Sequence, residues 1–131
     1  MEDMTEMTET AAIAAVSAVL DEYFASFVEA DEAGLRRVFH PAVTLTSSAG
    51  GVLLTLELDA FVDAVTSRGT VHAVVAPARV RGITLLSPFA AFAHVEDADD
   101  RNAYSDGLTL VRLSEGWRIV SKCWSILTER T

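Results

Sequence analysis

Positive charge is scarce in this chain. Ten Lys and Arg stand against nineteen Asp and Glu, a formal net charge of −9. Phosphate binding needs clustered cations, and Arg36-Arg37 is the only adjacent basic pair, so no nucleic-acid partner is expected. The same charge disfavours an anionic membrane surface. One cysteine, Cys123, leaves no intrachain disulfide. It lies in an apolar strand and is expected to be a small buried hydrophobe. Three prolines leave long elements free to form. No 18-residue apolar run is free of Pro, Gly pairs and polar residues, and the start, Met1 to Met7, is acidic where a secretory signal is basic. A cytoplasmic protein is the expectation. No Gly-rich phosphate loop, G-x-S-x-G or C-x-x-C occurs, and no cofactor is implied.

What is present is apolar residue in quantity: half of 131 residues, enough for one domain with a full core. Residues 1–9 read as an acidic tail and 10–131 as the domain. From Thr10, Ile13, Val16, Leu20, Tyr23 and Phe27 step by three and four, as one face of an amphipathic helix does, and Phe24 and Val28 widen it. Asp31 is a natural N-cap for a short second helix carrying Leu35, Val38 and Phe39, ended by Pro41. Val43 to Ser47 alternates as a strand, Gly50-Gly51 turns, and Val52 to Leu56 returns. Asp59 opens a third helix with Phe61, Val62 and Val65 buried and Gly69 at its C-terminal end. Residues 71–87 and 89–96 read as strands, Asp97 to Asn102 as an exposed turn, and Tyr104 to Trp124 as a hairpin about Ser114-Glu115-Gly116. The order α-α-β-β-α-β-β-β-β defines an α+β domain with helices on one side of a mainly antiparallel sheet.

That order, with Phe39-His40-Pro41-Ala42-Val43-Thr44 after the second helix and Gly116-Trp117-Arg118-Ile119-Val120 on the last strand, resembles the nuclear transport factor 2-like (NTF2-like) superfamily. The stretch Tyr104 to Lys122 is most similar to its "putative lumazine-binding" or SnoaL-like group. The resemblance spans about residues 10 to 127. It implies a cone whose curved sheet and three helices, packed on the concave face, enclose a mostly apolar cavity. It also implies a homodimer formed across the sheet. The superfamily hosts isomerases, dehydratases, cyclases, hydrolases and non-enzymes, so the fold names no reaction.

The isomerase branch uses a helix tyrosine, a first-strand base and a strand aspartic acid. By spacing, these positions fall on Tyr23, Ser47 and Thr109, so both carboxylates are expected to be missing. Serine without a base cannot abstract an α-proton. An Asp-Arg-Asp cluster and a His–Asp pair are likewise not evident. Alternation places Lys122, Trp124 and Ile126 on the cavity side and Ser121 and Cys123 opposite. A lysine in an apolar cavity favours a lowered pKa, a carboxylate partner or escape to the rim. Asp106 falls on the face opposite Thr109 unless a bulge at Gly107 re-aims it. His94 and Phe92 point to the outer sheet face. His40 is read as a helix-end histidine and His72 as exposed. The Asp97-Asp99-Asp100 run lacks the glycine and glutamate of a calcium loop, with Leu108 at the twelfth position, so no metal is expected.

Two functions follow as expectations. One is binding of a small apolar or aromatic molecule, with Tyr23, Phe27, Phe39, Ser47, Phe61, Thr109, Lys122 and Trp124 as ligand-binding residues. The other is a SnoaL-like isomerase, cyclase or dehydratase acting on a carbonyl compound, with Lys122 or a re-aimed Asp106 as acid–base group.

Overall fold

The computed structural model describes residues 4–71 and 78–129. The elements follow the expected order: α1 Met4–Glu29, α2 Glu32–Val38, β1 Phe39–Ala49, β2 Val52–Leu56, α3 Leu58–Arg68, β3 Arg79–Ser87, β4 Ala90–Ala98, β5 Asn102–Leu113 and β6 Gly116–Glu129. One six-stranded sheet runs β2-β1-β6-β5-β4-β3. Among the described residues only β1 and β6 pair parallel, and the other ladders are antiparallel.

Helix α1 begins at Met4, so residues 4–9, expected as tail, are helical. No Gly or Pro interrupts them, and acidic side chains suit a helix N-terminus. The buried stripe is Ala12, Val16, Leu20, Tyr23 and Phe27, whereas Ile13 is 43% exposed. The stretch Glu9–Glu29 is long and apolar enough by composition to cross a membrane, at mean hydropathy 1.5. Here it is the core helix of the domain. Its close approach to α2 is made at Gly34, where a Cβ would meet the Ser26 side chain.

Asp31 caps α2 as expected, its Oδ1 accepting from the Gly34 N–H at 3.1 Å. The chain leaves the helix at Phe39, before Pro41, and is already extended there. Pro41 is tolerated because β1 lacks regular pairing with β6 between Phe39 and Thr44, so no ladder bond is lost. His40 therefore stands in β1, not at a helix end, and its Nδ1 accepts from the Ala42 N–H at 3.0 Å. Helix α3 starts at Leu58 after Glu57, which makes no side-chain cap, and Asp59 lies in its first turn. It ends at Gly69, whose φ of 81° continues the chain at little steric cost. Gly50 and Gly51, with φ of 59° and 84°, form the two-residue turn joining β1 and β2. His72 and the first part of the strand expected over 71–87 lie outside the described residues.

All three helices cover the same sheet face. Leu20, Tyr23, Leu35, Val38 and Val62 meet Phe39, Leu45, Ala91, Ala93, Val95, Leu108, Leu110 and Ile119 in one core. The opposite face is open and carries Leu86, Phe92, His94 and Cys123. Cys123 is exposed, against the expectation of burial. Its strand is apolar, but its parity points it away from the helices.

Candidate functional site

The site is set by a break in alternation. Trp117 and Ile119 of β6 are buried against the helices. Regular pleating would next send Ser121 and Cys123 inward. Instead the ladder with β5 jumps from Leu110↔Ile119 to Thr109↔Ser121, leaving Val120 as an extra residue. This bulge turns Lys122 and Trp124 toward the helices. On β5 the inward residues are accordingly Asp106, Leu108 and Leu110, all buried. Thr109 faces outward beside Phe92 and Ser121. The expected placements are thus reversed on β5: Asp106 is inside, and Thr109 is not a cavity residue. Asp106 faces inward by the regular alternation of β5 with Leu108 and Leu110, with no bulge at Gly107. Gly107 serves another purpose, because a Cβ there would meet the Phe92 ring at 3.1 Å.

Strand β4 contributes what the sequence reading missed. Ala91, Ala93, Val95 and Asp97 are all buried on one face. The parity that sends Ala93 and Val95 inward extends to Asp97, but the acidic composition of 97–102 reads as an exposed turn. Both Asp97 and Asp99 are 7% exposed. Their surroundings differ sharply. Asp99 Oδ1 accepts from the N–H groups of Arg101 and Asn102, each at 2.9 Å, and its Oδ2 accepts from Tyr104 Oη at 2.8 Å. It is a turn-forming residue with its lone pairs used. Neither oxygen of Asp97 has a hydrogen-bond partner among the described residues, and Asp106 Oδ1 is in the same condition.

Tyr23 joins the two halves of the site. Lys122 Nζ donates to Tyr23 Oη at 2.7 Å, and Tyr23 Oη donates to Asp106 Oδ2 at 3.3 Å. Lys122 is 4% exposed, so it neither snorkels to the rim nor reaches solvent freely. Its ammonium lies 4.4 Å from the Phe61 ring centroid, 5.1 Å from Tyr23 and 5.7 Å from Phe27. These ring faces compensate part of its desolvation. Val95 pairs with Asp106 and Asp97 with Tyr104, which sets Asp97 diagonal to Asp106 on the inner face.

Burial, reinforced by the neighbouring Asp106, pushes the Asp97 carboxyl up to about 7, with Lys122 and Tyr23 opposing the rise. Burial raises Asp106 as well, against Lys122 and Tyr23. The Tyr23 phenol is held well above its ordinary range, first by burial and then by the two carboxylates. Burial lifts Tyr104 to about 12. The pair Asp97 and Asp106 thus shares a tendency to keep one proton near neutrality.

Above this floor opens a cleft of about 200 Å³. Phe27, Leu56, Phe61, Val65, Tyr104 and Trp124 wall it; Asp97, Asp99, Arg68 and Lys122 are its charged lining. Of the eight residues expected to bind a ligand, Phe27, Phe61, Lys122 and Trp124 line the cleft. Tyr23 and Phe39 are buried behind it, edge-on to one another at 5.6 Å. The Ser47 hydroxyl is spent on the Trp124 carbonyl at 2.6 Å. Ile126, opposite Tyr104 in the ladder, is half exposed and does not line the cleft. His94 lies on the outer face as expected, 2.8 Å from Ser105 Oγ. No group of three or more His, Cys, Asp or Glu among the described residues could hold a metal ion.

Solved structures share this architecture. A protein of unknown function from Silicibacter pomeroyi, described as NTF-2 like, superposes with TM-score 0.81 at 24% identity, covering 90% of this chain and 98% of its own. An uncharacterised cystatin-like protein from Caulobacter vibrioides gives 0.66 at 16% identity over 89% and 90%. A ketosteroid isomerase-like protein from Erwinia carotovora atroseptica gives 0.65 at 14% identity over 98% and 99%. At these identities the likeness is one of fold: the NTF2-like, cystatin-like α+β fold. The sequence itself carries the finer assignment. Residues 11–125 match the family model described as "Putative lumazine-binding", and the chain belongs to that family. No curated protein matches the sequence.

Proposed function

We propose that the cleft binds one small, flat, largely apolar molecule between the rings of Phe27, Phe61, Tyr104 and Trp124, anchored at the floor by Asp97 and Lys122. The observation that carries this reading is Asp97. It is a buried carboxylate in the cleft lining with neither oxygen partnered among the described residues, two residues from an aspartate whose bonds are complete. A buried polar group is kept without a partner at a cost of about 1–3 kcal/mol, more when charged, unless a ligand completes it. The volume, about 200 Å³, falls below the roughly 300 Å³ at which drug-sized pockets begin, so the occupant is nearer one ring than three. Membership of the family supports a ring-shaped ligand. Titration of single-ring aromatics, followed by NMR shifts of the Trp124 indole, tests the reading. Saturable binding weakened about tenfold by Phe61→Ala is expected, at ~1.4 kcal/mol per decade. Unshifted spectra at millimolar probe would end it.

The same floor favours a second reading, an acid–base enzyme acting on a carbonyl compound. Asp106 and Lys122 both face inward, and Asp97 adds a carboxylate whose pKa of about 7 suits a general base. Asp97 would take the proton α to the carbonyl, Lys122 would stabilise the enolate oxygen, and Asp97 would return the proton to an allylic carbon. Exchange of α-protons in deuterated water, lost in Asp97→Asn, is the expected signature. Absence of exchange over a panel of enones and ketones would leave the binding reading alone.

Pairing of two chains through the open sheet face is part of the proposal. Leu86 and Phe92 stand there 64% and 42% exposed, an apolar surface of the kind that marks an interface.

A further inference from the structure

We propose that the occupant of this cleft carries a positive charge on nitrogen, and that Asp97 is its counter-ion. This rests on the binding reading above and adds the charge of the ligand to it. The charges of the cleft and of the layer behind it do not balance. Arg68 and Asp99 cancel. The Arg68 guanidinium donates to the Gly69 carbonyl through Nε at 3.0 Å and to the Phe27 carbonyl through Nη2, stacks 4.4 Å from the Phe27 ring, and lies 3.8 Å from Asp99. Neither of that pair is free to recruit a ligand.

Three charges remain: Asp97, Asp106 and Lys122. With both carboxylates ionised they sum to −1. Lys122 directs its hydrogen bond to Tyr23 and through it to Asp106, which leaves Asp97 without a donor. Among the described residues, three of the four carboxylate oxygens at the floor lack a donor, so the deficit is of protons rather than of acceptors. A neutral apolar occupant would seal an unpaired carboxylate from water, and an anion would add a further negative charge to the same small volume. Both are unfavourable in a poorly solvated site. A nitrogen cation supplies the missing charge and the missing donors together. The ring faces of Phe27, Phe61, Tyr104 and Trp124 add cation–π attraction around it.

A proton on Asp97 is the competitor. The groups facing it are Tyr23 from α1, Arg68 from α3, Tyr104 and Asp106 from β5, Lys122 from β6 and Asp99 from the adjoining turn, with His94 acting on Asp106 from the other sheet face. Since burial and Asp106 hold the Asp97 carboxyl near 7, a cation binds best above that pH and must expel a proton below it.

The experiment is calorimetric titration of the intact protein with benzamidine, benzyl alcohol and benzoate between pH 5.5 and 8.5. These are single-ring probes that are cationic, neutral and anionic. At pH 8 benzamidine is expected to bind at least about tenfold more tightly than benzyl alcohol, with benzoate weakest. Its affinity should fall about tenfold from pH 8 to pH 6, with a proton taken up by buffer on binding. Asp97→Asn should abolish both the preference and the pH dependence. Asp106→Asn, which keeps the shape and the Tyr23 bond, should weaken the preference, because Lys122 then balances Asp97, and move the pH midpoint downward. Benzyl alcohol binding as well as benzamidine, or benzamidine binding independently of pH, would overturn the charge assignment and leave the binding reading standing. Failure of all three probes would overturn both.

Discussion

Two aspartates separated by one residue show how little residue type says by itself. Asp99 is buried because its oxygens close a turn on Arg101, Asn102 and Tyr104. Asp97 is buried with no such bonds and therefore weakens the fold. The sign follows from the raised pKa. The unfolded carboxyl ionises near its ordinary 3.8 and the folded one near 7. Between those values the folded state holds the extra proton, so Asp97's contribution is fully present below the lower value and is lost as pH rises through 7. Across that window Asp97 should cost the protein a few kcal/mol, an order-of-magnitude figure at ~1.4 kcal/mol per unit. Thermal melts from pH 4 to 8 should show this fall in the wild type and a flatter profile in Asp97→Asn. Lys122→Met removes the one cation among the three floor charges. It should destabilise by roughly 3 kcal/mol at pH 8, because two buried carboxylates are then uncompensated, and by less at pH 5, where Asp97 holds its proton. Urea denaturation at the two pH values checks it; an equal loss at both would refute the assignment.

At the scale of elements, the site depends on one extra residue in one strand. Without the bulge at Val120, Lys122 and Trp124 would face outward with Cys123's present neighbours. Deleting Val120 should leave Ser121 outward and Lys122 inward in a regular ladder, so aromatic-probe binding should persist, and its loss would contradict the bulge. The contact of α1 with α2 is similarly specific. A Cβ at Gly34 would collide with the Ser26 side chain and come within 2.7 Å of Asp31 Oδ2. Gly34→Ala should therefore cost about 1–3 kcal/mol through overpacking and strain at the Asp31 cap, read as a lowered denaturation midpoint. Hairpins and caps of this kind were readable in advance. Gly50-Gly51, the turn about Ser114-Glu115, the Asp31 cap and Gly69 each act through backbone geometry within a few residues. The bulge was not readable, since nothing in Ile119-Val120-Ser121 distinguishes an inserted residue from a regular one. Thr109 and Asp106 were misplaced for a different reason: β5 alternates regularly, and Leu108 and Leu110 on either side of Thr109 set Thr109 outward and Asp106 inward, whereas Lys122 and Trp124 face inward through the bulge.

At the scale of the molecule, helices on one face leave the other face of a six-stranded sheet uncovered. If two chains meet there, sedimentation should give a dimer mass, and Phe92→Asp should give a monomer with the cleft intact. A wild-type monomer at high micromolar concentration would contradict this arrangement.

The sequence alone determined the element order, the side of the sheet on which the helices lie, and the aromatic walls Phe27, Phe61 and Trp124. These follow from periodicities of 3.6 and 2 and from local turns, which are properties of neighbouring residues. The tertiary structure decided that Asp97 and Asp106 lie inside with Tyr23 and Lys122, that Ser47 is spent on a backbone carbonyl, and that Cys123 is outside. Each depends on register across strands and on burial by residues far along the chain. The chemistry of a carboxylate is set by that environment: the same aspartate reads as an exposed turn residue in the sequence and is a buried carboxyl with a raised pKa in the fold.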